Sequence, residues 1–411
     1  MGISDIYGET YNGIGEMIMA QPGKVDLVHI LNNTEIHKDS LVPELPFTEA
    51  IAFAGKIQKS YPHSLSDGDV LRLIYDQVMS ALQVKYGPES DSEGKLDTLL
   101  AASEIEGMVR NIFQLFKTLP REYEFYFPLP NIEALPAGMT YRLSNNLAVR
   151  MMPIVSNSFL KVRTETTKHS PHLKVRVSGY ARGSLDSIAG VSALSTLKQG
   201  IQMGLLLGLF EKVTVGFFGQ GLFGSYHHIP SEKIQIYDVH DKGFIDQDTL
   251  VPIDLTYVFH SLRATQKMQG YFKSQQQNIP ELVGYGRFMD LVNNNTNPLK
   301  AALEWAFDSG MAVNETISFL QVCIALECVL GRGAPHDNLT ATLADRCAYL
   351  LGRNLSERNK IRKNFKKLYD IRSSLVHGRA RKLTGIDKNF LEWGKVVLDS
   401  VIKKEYSLLN V

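Results

Sequence analysis

The chain has 411 residues, with 44 Lys and Arg against 43 Asp and Glu, for a formal net charge of +1. That length suffices for two or three domains with cores of their own, and the charge balance excludes a global field aimed at nucleic acid, so any basic surface must be local. Its three cysteines (Cys323, Cys328 and Cys347) share one apolar region without a repeated pair spacing, which argues against a disulfide framework and a zinc site and suits a reducing, cytoplasmic setting.

The opening residues, MGISDIYGET, lack a basic segment followed by an apolar run and lack Ser or Thr at position six, so neither a signal peptide nor myristoylation is expected. Up to about residue 118 the pattern is helical. Asp69–Leu82 and Lys95–Leu119 are amphipathic, separated by a polar loop bearing Gly87 and Pro88. From 119 to 252 the period changes. Glu122–Leu129, Leu147–Val155, Phe159–Thr166 and His172–Ala181 read as short strands, antiparallel in sense, because they are rich in β-branched and aromatic residues and bounded by Pro, Gly or Asn. Ser192–Glu211 then reads as a helix, and Lys212–Phe218 and Lys233–Val239 return to strand. The longest apolar run, Met203–Phe210, is too short to span a bilayer, so no membrane partner is expected.

From 253 onward the pattern is almost wholly helical. Asn314 caps a helix that stops at Gly331; Thr340 and Gly352 bracket the next; Ser356 to Gly378 forms a third and Asp387 to Leu409 a fourth. Four consecutive helices with short connections describe a bundle. The expected class is α+β: a mixed α/β region over 1–252 (helical over 1–118, α+β over 119–252), then an all-α domain over 253–411.

Two patterns that suggest chemistry fail on context. Gly219, Gly221 and Gly224 match a dinucleotide fingerprint, but Pro230 and another strand follow where a helix must begin, so no cofactor is expected. His169, His172, His227, His228 and His240 form no helical pair with a nearby carboxylate; they read as surface loop histidines, and no metal is implied.

The third helix of the bundle is different. Projected at about 100° per residue, Ile361, Phe365, Leu368 and Leu375 form one stripe, and Arg372 falls in its middle. A guanidinium on an apolar face needs an anionic partner. The helix Glu315–Leu330 is apolar nearly all round and reads as the buried centre, with Glu327 its one ionisable side chain past the first turn. Arg346, between Leu343 and Leu350, is a second inward cation. Glu327 pairs with Arg346 or with Arg372 on this reading. His377 lies five residues after Arg372, about 140° further round, at a helix end marked by Gly378, where carbonyl dipoles favour an imidazolium. Between Arg353 and Lys382 there are eleven Lys and Arg against two acids, a local surface suited to phosphates through Lys366, Lys367, Arg379, Arg381 and Lys382.

The segment LYDIRSSLVHGR, Leu368 to Arg379, resembles the signature of HEPN domains, in particular the Apea-like group, and carries R-x4-H as Arg372 to His377. The preceding IALECVLG, the helix with Arg346 and YLLG, and the final helix also resemble that group over about the last 110–150 residues. The resemblance implies a helical domain that forms a homodimer in which two motifs share one cleft. It also implies a metal-independent endoribonuclease acting on RNA or, alternatively, a non-catalytic RNA- or nucleotide-binding module. Arg372 and His377 match the motif, and Ser373 is the polar residue often found after the arginine. Apea-like members are similar to toxin and abortive-infection proteins of antiviral defence, with an upstream sensing region. A phage-derived trigger would then act on residues 1–252.

Overall fold

The structure is a computed structural model that describes residues 27–37, 43–87, 93–132, 135–136, 139–153, 169–213, 233–274, 280–293, 298–333, 338–378 and 382–409. The expected strand Phe159–Thr166, the glycines 219, 221 and 224, His227, His228, Arg379 and Arg381 lie outside these residues. The class is α+β, with a six-stranded sheet and a helical C-terminal region. Among the described residues no helix is long and apolar enough to cross a membrane.

The chain divides into two compact units. The first comprises residues 1–124, 177–192 and 237–246. It holds α1 (Leu27–Asn32), β1 (Glu35–Ile36), α2 (Phe47–Ser60), α3 (Asp67–Tyr86), β2 (Gly94–Lys95), α4 (Leu96–Leu99) and α5 (Ala102–Lys117). The apolar faces of α2, α3 and α5 meet in a core that includes Phe53, Ile57, Ile74, Val78, Ile112 and Phe116. The expected helix Lys95–Leu119 is broken, because Leu100 and Ala101 are extended; the Glu104 carboxylate then accepts from the Ala101 N–H to start α5. Ser66 and Asp69 form a reciprocal cap on α3, and the same Asp69 carboxylate accepts from Ile188 N–H. Its pKa is raised, chiefly by burial.

The second unit comprises 125–176, 193–236 and 247–411. Most of the sheet lies here, built from β3 (Arg121–Pro128), β4 (Thr140–Arg142), β5 (Leu147–Pro153), β6 (His169–Gly179), β8 (Lys233–Asp238) and β9 (Gly243–Leu250) in the order β4-β5-β6-β3-β8-β9. The β4–β5 and β5–β6 pairs are antiparallel, with Val149 opposite Tyr141 on one side and Leu173 on the other. α6 (Ile188–Leu206) precedes β7 (Phe210–Lys212), which pairs antiparallel with β10 (Leu262–Ala264) beyond α7 (Ile253–Ser261). Then follow α8 (Gln266–Ser274), α9 (Pro280–Asn293), α10 (Pro298–Met311), α11 (Glu315–Leu330), α12 (Leu339–Leu351), α13 (Leu355–Val376) and α14 (Gly385–Leu408).

This division departs from the contiguous boundary expected at residue 252, and α6 supplies the physical reason. Its polar groups find their partners on downstream helices. Ser195 Oγ and Gln199 Nε2 both donate to Glu304 of α10 at 2.6 Å. The Tyr285 hydroxyl of α9 donates to the Gly200 carbonyl at 3.1 Å, and a Cβ at Gly200 would stand 2.9 Å from that hydroxyl. These bonds tie α6 to the helices after 253, although the paired residues lie 85 to 109 positions apart.

Two further expectations are corrected. His172 is a buried residue of β6, where its Nδ1 faces the Ser170 carbonyl at 3.0 Å; it is not a loop histidine, and burial depresses its pKa to about 4. His169 begins the same strand, half-buried, whereas His240 is exposed in a turn as expected.

Candidate functional site

The site is built on α11 and α13. Asn314 caps α11, its side-chain oxygen accepting from Thr316 and Ile317 N–H. α11 buries Phe319, Val322, Cys323, Leu326 and Leu330, but Ile317 is half exposed and Leu320 and Ile324 are only partly covered. It is therefore not the fully enclosed centre that its composition suggested: an apolar edge remains near the surface because α10, α12, α13 and α14 cover only the rest. α12 starts at Leu339 with Asn338 in the left-handed region as its N-cap, two residues earlier than a cap at Thr340 would allow. α13 is capped by Asn354, which accepts from Glu357 N–H. It buries Phe365, Leu368 and Tyr369, while Ile361 and Leu375 are half-buried, so its apolar face is centred one position away from the stripe drawn from sequence.

Arg372 pairs with Glu327, Nη2 to Oε1 at 3.2 Å, both side chains being about two-thirds or more covered. Of the two arginines considered for this acid, it is Arg372 that meets it. Arg346 instead donates from Nη1 to the carbonyls of Leu330 and Arg332, at 2.6 and 2.7 Å, and satisfies the free end of α11. The expected Glu327–Arg346 pair is replaced by this cap because Arg346 lies beyond the last turn of α11, level with its carbonyls. Tyr369, which sequence reading did not single out, completes the group. Its buried phenol donates to the Cys323 carbonyl at 3.5 Å; burial first, then the Glu327 charge, raises its pKa. The available signal was a hydroxyl-bearing aromatic three residues before Arg372, on the apolar side of the helix.

At the end of α13 the His377 N–H donates to the Ser373 carbonyl at 3.0 Å, and Gly378 adopts φ +70°, the left-handed stop read from sequence. His377 is exposed. Ser373 is half-buried between it and Arg372, and Ser374 Oγ bonds back to the Asp370 carbonyl. Lys366, Lys367 and Lys382 are exposed, with Lys367 Nζ lying 5.6 Å from the Phe390 ring centre. Other cations of the basic cluster are held within the bundle: Arg358 Nε donates to the Gly352 carbonyl, and Arg362 pairs with Asp345.

Comparison with known proteins finds no match to any family model, curated protein or solved structure.

Chemically, the arrangement offers a cation whose orientation is fixed by a carboxylate, followed by an accessible imidazole. The two are separated by five residues, roughly 7.5 Å along the helix axis. A forked guanidinium can orient a phosphate, and an imidazole can give or accept a proton.

Proposed function

We propose that this chain is a metal-independent endoribonuclease of the HEPN type, acting as a homodimer. The observation that carries the reading is the exposed His377 at the terminus of α13, on the same helix end as an Arg372 held by Glu327. RNA cleavage by 2'-hydroxyl attack needs a base for that hydroxyl, an acid for the 5'-oxygen, and positive charge for the developing phosphorane. One imidazole cannot readily serve both ends of an in-line displacement. Two His377 side chains from paired chains remove that difficulty, with Arg372 orienting the phosphate and Ser373 beside it. Half-exposed Ile317, with the partly exposed Leu320 and Ile324 on the same face of the helix that carries Glu327, supports a paired assembly. Exposed Lys366, Lys367 and Lys382 support contact with the phosphate backbone.

On this reading the products are a 2',3'-cyclic phosphate and a 5'-hydroxyl. The resemblance adds the setting of a toxin-like effector of antiviral defence, with the upstream region answering a trigger. The test is expression of wild type and His377→Ala with sequencing of cellular RNA ends. New 5'-hydroxyl ends and growth arrest are expected from wild type alone. Equal cutting by a folded His377→Ala chain would overturn the assignment.

One observation favours a second reading. With Arg372 engaged by Glu327 at 3.2 Å, the bundle can serve as a non-catalytic RNA- or nucleotide-binding module. RNA binding without cleavage by wild type would select it.

A further inference from the structure

The last turn of α11, just past Glu327, also lines an open groove of about 650 Å³. Val329, Leu330 and Leu350 supply its apolar lining, and Arg332, Arg346 and Tyr349 stand along it with Glu405 of α14. A recess of this volume falls within the range of small-molecule clefts and has room for a mononucleotide.

The groove's polar groups are arranged in advance. Arg346 donates from Nη1 alone to the Leu330 and Arg332 carbonyls, which fixes its guanidinium next to Arg332. Among the described residues its Nε and Nη2 donors have no protein acceptor. Asp345, also in the lining, is neutralised by Arg362. The charges left for a ligand are therefore two guanidiniums and the carboxylate of Glu405.

Tyr349 is 63 % exposed, so its ring is open to a ligand in the groove. It is nevertheless held. The guanidinium carbons of Arg358 and Arg362 lie 4.9 and 5.3 Å from its ring centre, in cation–π range. A ring immobilised in this way loses little freedom when a flat ligand stacks on it.

The geometry points to a nucleotide site: a phosphate on Arg332 and Arg346, a base against Tyr349, and a ribose hydroxyl or exocyclic amine donating to Glu405. The same chemistry is offered by a free nucleoside monophosphate and by an unpaired residue of single-stranded RNA. This inference goes beyond the ribonuclease reading and does not require it.

The test is calorimetric titration of the full-length chain with AMP, with adenosine, and with a short 2'-O-methyl oligoadenylate. None of these ligands offers a 2'-hydroxyl next to a cleavable linkage, so a failure of the Arg372–His377 reading leaves the result intact. Saturable AMP binding is expected. Arg332→Gln should weaken AMP about tenfold while leaving adenosine nearly unchanged. Tyr349→Ala should weaken both about tenfold, and Tyr349→Phe should restore them. Displacement of AMP by the oligonucleotide would assign the site to RNA; tight AMP binding without displacement would assign it to the free nucleotide. Absence of saturable binding by any of the three at millimolar concentration would overturn the inference, as would AMP binding indifferent to both Arg332→Gln and Tyr349→Ala in folded variants.

Discussion

Removing the Glu327 charge should expose how firmly Arg372 is held. Glu327→Gln keeps the side chain's size and leaves the guanidinium, two-thirds covered, without its counter-ion. Exposed ion pairs contribute about 0–1 kcal/mol, and breaking a fully buried one costs about 3–5 kcal/mol. With side-chain exposures of 25 % for Glu327 and 32 % for Arg372, the pair lies between these limits. A single-mutant loss of about 2 kcal/mol follows, and a melting temperature lower by roughly 4 °C in a unit of this size. A double-mutant cycle isolates the pair itself. Glu327→Gln, Arg372→Met and the double variant, compared by the unfolding transition of the helical region in denaturant, should give a coupling of about 1 kcal/mol. A coupling within about 0.3 kcal/mol of zero would refute the argument that Glu327 positions Arg372.

Burial holds the folded pKa of His172 at about 4, below its ordinary 6.5. The unfolded chain thus takes up a proton that the folded chain refuses: stability is complete above about pH 6.5 and is lost as pH falls toward 4, by about 3 kcal/mol. Unfolding measured at pH 7 and pH 5 should show the loss, and His172→Gln should flatten it; an unchanged slope would count against the buried, neutral imidazole. Gly378, at φ +70°, should not accept a side chain freely, so Gly378→Ala should cost about 1 kcal/mol in thermal unfolding, and a neutral result would place the end of α13 in another conformation. Replacing the exposed Lys366 and Lys367 with Gln should reduce the slope of log Kd against log salt for RNA by about 1–2, whereas an unaltered slope would make them solvated surface only.

Local signals in the sequence carried much of the C-terminal region. Asn314 and Gly378 mark their helix ends because a capping side chain and a left-handed glycine act within a turn of the chain. Glu327 was legible as an acid needing a cation, and Arg372 as a cation needing an acid. The choice between Arg372 and Arg346 was not, because it depends on how far each helix slides past α11. Asn338 escaped notice because a left-handed N-cap lacks the side-chain signature of Ser or Thr. The joining of α6 to α9 and α10 was equally hidden: Ser195, Gln199 and Glu304 look like ordinary polar residues until tertiary packing brings them together. Tyr349 and Tyr369 were overlooked for the same reason, since periodicity treats a tyrosine as apolar surface and does not reveal what its hydroxyl or ring meets.

The most direct test of the ribonuclease account is end-group analysis of RNA incubated with purified full-length chain in the presence of a metal chelator. Wild type should generate 2',3'-cyclic phosphate and 5'-hydroxyl ends, and both His377→Ala and Arg372→Ala should generate none while remaining folded. Ends carrying a 5'-phosphate, or cyclic-phosphate ends at undiminished yield from the two variants, would contradict it.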